Sequence, residues 1–214
     1  MAIVNLSGAE TGDLNEGSST SGTLSVQSLI KRTGGYAYEF NPLLTAVGWV
    51  RFAEPEANGT NGDGSPGGNN RWVRFYLYLV TAPASGDEQI LNFLAATGTT
   101  VKAEVRLNSD RTLSAYDSVG GSAGTTSTAL SLLTWYLVEV FCDSSTTTGD
   151  VYVKINGTQE ITGTNLNTNG TGHGRVTIGK SANLNGNTID IIVDDFAMTS
   201  DANAIGPGQI EAMQ

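Results

Sequence analysis

Apolar residues recur at every second position along most of this chain, and no long segment carries the 3.6-residue period of an amphipathic helix. In RWVRFYLYLV, residues 71–80, one side of an extended strand holds Val73, Phe75, Leu77 and Leu79. The other side holds Trp72, Arg74, Tyr76 and Tyr78. A chain with that period must bury one face of each strand against a second sheet. Further segments read as strands at 23–30, 36–40, 46–54, 89–95, 100–107, 112–117, 135–142, 150–155, 175–179 and 188–198. Clusters of Gly, Asn and Ser separate them, among them Asn156-Gly157 and Asn185-Gly186. The pattern predicts an all-β fold, a sandwich or jelly roll, without internal repeats.

Glycine, at 27 of 214 residues, is roughly twice its usual share of about 7%. It sits in turns rather than in a collagen-like period. Hydrophobic residues make up 39% of the chain, enough for a proper core. Eleven basic residues face 21 acidic ones, for a formal net charge of −10, and no basic stripe offsets it locally. That balance argues against nucleic acid, while suiting calcium, neutral glycans and plain solubility alike. Cys142 is the only cysteine, so no intrachain disulfide forms, and a small buried hydrophobe is its expected role. The sole histidine, His173, falls in a glycine-rich segment that reads as a loop, and no G-x-S-x-G elbow surrounds any serine, so a nucleophilic triad is not expected. The opening MAIVNLSGAETG lacks a charged n-region and a long apolar h-region, which reads as no secretory signal. No apolar run approaches the roughly 20 residues of a membrane span.

Few positions carry chemistry in the sequence. A glycosidase needs two carboxylates flanking the scissile bond. Glu54 and Glu56 have a same-face spacing, but Pro55 between them marks a strand end. Glu104, with Lys102 and Arg106 as its same-face neighbours, reads as a solvated charge row. The long loop 57–70, ANGTNGDGSPGGNN, offers Asn61 and Asp63 without a calcium-loop spacing and reads as a surface loop. Four N-x-[ST] sequons, at Asn5, Asn58, Asn156 and Asn169, are expected by chance in a chain so rich in Asn, Gly and Thr. The aromatic faces are more informative. Trp72, Arg74, Tyr76 and Tyr78 share one face, and Trp49 and Arg51 share another in GWVRF. Such residues stack on sugar rings and hydrogen-bond their hydroxyls, and they equally suit a protein interface. These six are the candidate ligand residues. The tail 201–214, with Gly206-Pro207-Gly208, reads as an extension leaving a domain of residues 1–200.

The closing stretch TIDIIVDDFAM, residues 188–198, places Asp194 and Asp195 inside an apolar strand. Strict alternation puts them on opposite faces. A carboxylate leaving water there needs compensation.

Several pieces, in order, resemble concanavalin A-like and laminin G-like jelly rolls. They are GAETGDLNEG near the start (with Ala9 where the family carries an aromatic), TWYLVEV followed by GDVYVKING, then VTIGKS and IIVDDFAM. The resemblance covers about 190 residues and implies a two-sheet antiparallel jelly-roll sandwich. It also implies a structural calcium, with Asp194 as one ligand and Glu10, Gly12 or Asp13 as others, loop amides being the alternative partner of an aspartate. Asp195 is then the solvated member of the pair. Domains of this kind occur in extracellular binding modules and in structural proteins of tailed bacteriophages. That setting implies a non-enzymatic virion surface protein, a decoration, tail or fibre component, partnered by other virion proteins and by its own copies. An extracellular lectin module is the alternative, and cell-surface glycans are a ligand for either. The E-x-D-x-x-E signature of laminarinase-like hydrolases of this fold is absent from the chain, which weighs against polysaccharide cleavage.

Overall fold

The computed structural model describes residues 3–53, 69–95 and 100–199. Glu54, Glu56, Asn61, Asp63 and the extension 201–214 lie outside the described residues. Among the described residues there are fifteen strands and no helix. In chain order they are β1 (Ile3–Ser7), β2 (Ser19–Gly22), β3 (Leu24–Gln27), β4 (Ala37–Phe40), β5 (Gly48–Ala53), β6 (Asn70–Thr81), β7 (Asp87–Ala95) and β8 (Val101–Asn108). There follow β9 (Leu113–Asp117), β10 (Ser122–Thr125), β11 (Trp135–Asp143), β12 (Gly149–Ile155), β13 (Thr158–Leu166), β14 (His173–Lys180) and β15 (Asp190–Thr199). All pairings are antiparallel.

The eight-stranded sheet runs β13-β12-β11-β6-β15-β4-β3, with β1 also on β15. The seven-stranded sheet runs β10-β9-β8-β7-β14-β5-β2. Consecutive hairpins build one flank of each sheet, and the last two strands, β14 and β15, close one sheet each. This is the expected two-sheet antiparallel jelly-roll sandwich.

The inner faces follow the period-two pattern. Val73, Phe75, Leu77 and Leu79 of β6 meet Val50 and Phe52 of β5 and Val176 and Ile178 of β14 in one core. Phe52 and Phe196, from opposite sheets, stack with centroids 4.1 Å apart. At the hairpin between β12 and β13, Asn156 (φ 51°) and Gly157 (φ 82°) both adopt the left-handed conformation of a two-residue turn matched to strand twist. Four strands have no counterpart in the alternation pattern: β1, β2, β10 and β13. β2 (STSG) and β10 (SAGT) are short and polar, and β13 (TQEITGTNL) carries few apolar residues, so little hydrophobic period marks them.

Two lysines are fully buried, the first of them against the sequence reading. Lys102 turns inward at a bulge, where Ala103 and Val101 pair with the consecutive residues Phe93 and Leu94. Fully buried, its Nζ donates to Ser144 Oγ (2.8 Å) and to the Asn169 carbonyl (2.7 Å). It therefore leaves the charge row expected with Glu104 and Arg106. Lys180 is also fully buried and pairs with Glu88 at 3.4 Å. Its Nζ donates to the carbonyls of Leu44 (2.5 Å) and Asn187 (2.6 Å), while Glu88 accepts the Leu184, Asn185 and Asn187 amides. Cys142 is buried as expected.

His173 opens β14 rather than a loop, is 1% exposed, and meets Phe93 edge-on at 5.6 Å. Burial, then the Lys102 and Arg71 charges, hold its imidazole well below the usual value of 6.5. A histidine depressed in the folded state leaves stability intact above about pH 6.5 and withdraws it as pH falls, by at most about 1.4 kcal/mol per pH unit. Asp190 and Asp194, raised to about 6 chiefly by burial, act in the opposite sense. Denaturant melts of the wild type and of His173→Asn at pH 7.5 and 5.5 isolate the histidine. The wild type should lose more stability on acidification than the variant, and equal losses would refute the assignment.

Candidate functional site

At the N-terminal end of the sandwich, strand alternation breaks at the two aspartates. Asp194 pairs with Tyr76 and the next β6 pairing is Ala197 with Arg74, so β15 bulges between them, and Asp195 has φ 51°. The expectation of opposite faces therefore fails, because the bulge brings both carboxylates to Thr33. Asp194 Oδ2 accepts the amides of Arg32 (2.7 Å) and Thr33 (3.2 Å), and Oδ1 accepts the Asp195 amide (2.8 Å). Thr33 Oγ1 donates to Asp195 Oδ1 at 2.5 Å. Asp195 is 4% exposed, so it is not a solvated partner. The adjacent GAETGD turn has an anchor of its own. Glu16 takes the hydroxyls of Ser7 and Thr11 and the amides of Gly8, Ala9 and Thr11.

The three proposed calcium ligands do not behave alike. A Cβ built on Gly8 would lie 3.1 Å from Glu10 Oε1 and 3.3 Å from Asp194 Oδ1, so both carboxylates border Gly8. Gly34, at φ 58°, has no room for a side chain because the Glu10 carboxylate occupies that place. Burial pushes the Asp194 carboxyl up to about 6, the response of an acid short of positive charge. Both carboxylates also hold backbone amides, Asp194 those already named and Glu10 Oε2 that of Gly35 (2.7 Å). Asp13 does not join them. It is tied into its own turn by Thr11 Oγ1 (2.9 Å), Asn15 N (2.8 Å) and Asn15 Nδ2 (2.7 Å). Among the described residues, no three His, Cys, Asp or Glu side chains converge on a metal position.

The six candidate ligand residues divide between opposite sides of the molecule. Trp72, Arg74, Tyr76 and Tyr78 lie on the outer face of the eight-stranded sheet, whereas Trp49 and Arg51 lie on the outer face of the seven-stranded one. The first group is largely covered. Trp72 is 6% and Arg74 2% exposed. Trp72 packs on Phe141 at 5.1 Å with Lys154 Nζ 4.7 Å above its ring, and Phe141 stacks on Tyr152 in turn. Tyr76 lies beneath Arg32 (4.6 Å), and Tyr78 leans on Trp135 (5.2 Å). This is a cohesive aromatic layer rather than an open platform.

The outer face of the seven-stranded sheet is half-exposed at Trp49, Arg51, Arg106 and Tyr116, while the positions between them are covered, Thr177 at 1%, Asn92 at 5% and Glu104 at 8% exposure. Strand register aligns Arg51, Thr177, Asn92, Glu104 and Tyr116 in one row across β5, β14, β7, β8 and β9. Four strand spacings of ~4.8 Å make it on the order of 19 Å long. An arginine stacked on an aromatic ring stands at each end: Arg51 over Trp49 (4.6 Å) and Arg106 over Tyr116 (4.1 Å). Between them the hydrogen bonds have a forced direction. Arg106 donates to Glu104 and Asp87, and Glu104, as a carboxylate, only accepts, so Gln89 presents its Nε2 to it. Gln89 Oε1 then accepts from Ser181 Oγ (2.5 Å), which leaves Ser181 to accept from Asn92 Nδ2 (2.6 Å). The chain ends at Asn92 Oδ1, a buried acceptor that has no hydrogen bond among the described residues, on a side chain 5% exposed. Glu104 and Arg106 are therefore not a solvated charge row but the anchor of a polar network.

Sequence reasoning missed Gln89, Asn92, Tyr116, Thr177 and Ser181. Their one signal is a polar residue inside an apolar strand, as in QILNFL (89–94), and single outward polar residues are ordinary in any sheet.

No protein-family model matches the chain, and no curated protein matches it. Among solved structures it is similar to the cellulose-induced protein Cip1, at 15% identity over 87% of this chain and 88% of that one, with a TM-score of 0.61. It is also similar to botulinum neurotoxin type C (11%, 92% of this chain and 46% of that one, 0.57) and to a sialidase of Trypanosoma rangeli (12%, 91% and 29%, 0.54). The chain thus spans less than half of the toxin and sialidase chains. At such identities the likeness shows the fold: jelly-roll, two-sheet domains.

If Trp72 is a packing residue, Trp72→Ala should cost about 3–5 kcal/mol in a urea melt, as for a buried aromatic. A loss below about 1 kcal/mol, typical of surface substitutions, would show instead that its face is open.

Proposed function

We propose that this chain is a non-catalytic glycan-binding module whose ligand face is the outer side of the seven-stranded sheet. The observation that carries the reading is the row from Arg51 to Tyr116. It combines aromatic rings at both ends with a directed hydrogen-bond network ending on the unsatisfied acceptor Asn92 Oδ1. Sugars present C–H faces to rings and hydroxyl donors to acceptors, which is the complement of that row. One structure of the same fold supports the assignment by analogy, since the cell entry of botulinum neurotoxin type C depends on interaction with two ganglioside molecules.

The absence of catalysis is part of the proposal. Glycoside cleavage needs two carboxylates free to act as acid and as base or nucleophile. On this face Glu104 and Asp87 are both held by Arg106. A virion surface is the setting implied by the motif resemblance, and a host-surface glycan would then be the ligand. Calcium, held by Glu10 and Asp194, would act as a clamp between β15 and the turns at residues 8–10 and 32–35.

Three measurements test these points. On a glycan array the wild type should be retained by at least one glycan, and Trp49→Ala and Asn92→Ala, each verified as folded by circular dichroism, should lose most of that signal. A blank array would refute the reading. Incubation with the bound glycan should release no reducing sugar. Chelation should lower the melting temperature, because a ligand held at 100 times its Kd stabilises the native state by about 2.7 kcal/mol. An unchanged melting temperature would remove calcium from the account.

A further inference from the structure

Arg51 differs from its neighbours in what it lacks. Its Nε donates to Thr177 Oγ1 at 3.2 Å and its guanidinium lies over Trp49, yet no carboxylate pairs with it among the described residues. Arg106, at the other end of the same row, is held by Glu104 and Asp87. Arg175 follows on β14, paired with Ala53 two residues along β5, and adds a like charge beside Arg51. Burial and that like charge both lower the guanidinium's affinity for its proton. The attraction of an anion beside it would offset both.

The stacked ring fixes the plane of the guanidinium and leaves its two terminal nitrogens unspent, the fork that grips a carboxylate with two parallel hydrogen bonds. About 10 Å away, two strand spacings along the row, Asn92 Oδ1 calls for the opposite chemistry, a donor. A neutral sugar supplies donors for Asn92 but only uncharged acceptors for Arg51, whereas a carboxylate supplies Arg51 with a charge-assisted, two-pronged acceptor and Asn92 with no donor.

We propose that the outer face of the seven-stranded sheet recognises acidic sugars of the uronate type, with Arg51 taking the carboxylate of one ring and Asn92 accepting a hydroxyl of the next. The inference rests on the glycan-binding reading and narrows its ligand class. Trp49 backs the ring that carries the carboxylate, and Thr177, between the two positions, holds Arg51 in place.

The test is titration calorimetry of the whole chain with matched pairs, oligogalacturonate against neutral galacto-oligosaccharide and oligoglucuronate against cello-oligosaccharide, with heparin oligosaccharides as a sulfated arm. An acidic member should bind at least about tenfold more tightly than its neutral partner, a difference of about 1.4 kcal/mol. The preference should shrink as salt is raised from about 0.05 to 0.5 M, because screening reaches a partly exposed charge. Arg51→Gln should erase the preference by bringing the acidic member's affinity down to that of its neutral partner, and Arg51→Lys should retain part of it. Thermal melts of both variants check that they fold. Equal affinity for acidic and neutral partners would overturn the acidic-sugar assignment and leave the glycan face standing. Preference for sulfated over carboxylated chains would overturn the carboxylate assignment. Silence toward every sugar on this panel and on the glycan array would remove the glycan reading itself.

Discussion

The last strand closes the fold only because its register is reset halfway along. Before the bulge, Ile191 and Val193 point into the core; after it, Phe196 and Met198 do so. Uninterrupted alternation would send one of these pairs outward and separate Phe196 from Phe52 on the facing sheet. The reset depends on Asp195 holding a left-handed backbone, a conformation that costs free energy in a non-glycine residue. The compensation is local and polar: three amides on Asp194, the Thr33 hydroxyl on Asp195. β15 can then pair with β4 along its first half and β1 along its second, as well as with β6 throughout. A short charged segment inside an apolar strand thus organises the centre of the larger sheet.

Where the chain buries one face of a long strand, the sequence announces it. The alternation in 71–80 and in GWVRFA corresponds to β6 and β5 nearly residue for residue. Where a strand is short and polar, as in STSG or SAGT, pairing is decided by neighbours distant in sequence and the local pattern is silent. The aspartate pair shows a third case. TIDIIVDDFAM signals a charge inside a strand but not a bulge, because an extra residue resets parity without altering composition.

The candidate site was legible only in part for a related reason. Alternation correctly sends Trp49, Arg51, Trp72, Arg74, Tyr76 and Tyr78 outward, yet it does not say which sheet each strand joins. Sheet assignment sets the two groups back to back and covers Trp72 and Arg74. The network from Arg106 through Glu104, Gln89 and Ser181 to Asn92 joins residues from β8, β7 and the segment after β14, a set that only the strand order reveals. Lys102 was misassigned through a bulge, as Asp195 was.

The two outer faces share no side chain, because each belongs to a different sheet and the core lies between them. In evolutionary terms the face around Asn92 can drift through new specificities without disturbing the aromatic layer behind it. For engineering, the same separation makes the scaffold modular. A library built on outward positions of β5, β7, β8, β9 and β14 would sample recognition surfaces while the fold's closing strand, its buried ion pair and its opposite face stay untouched.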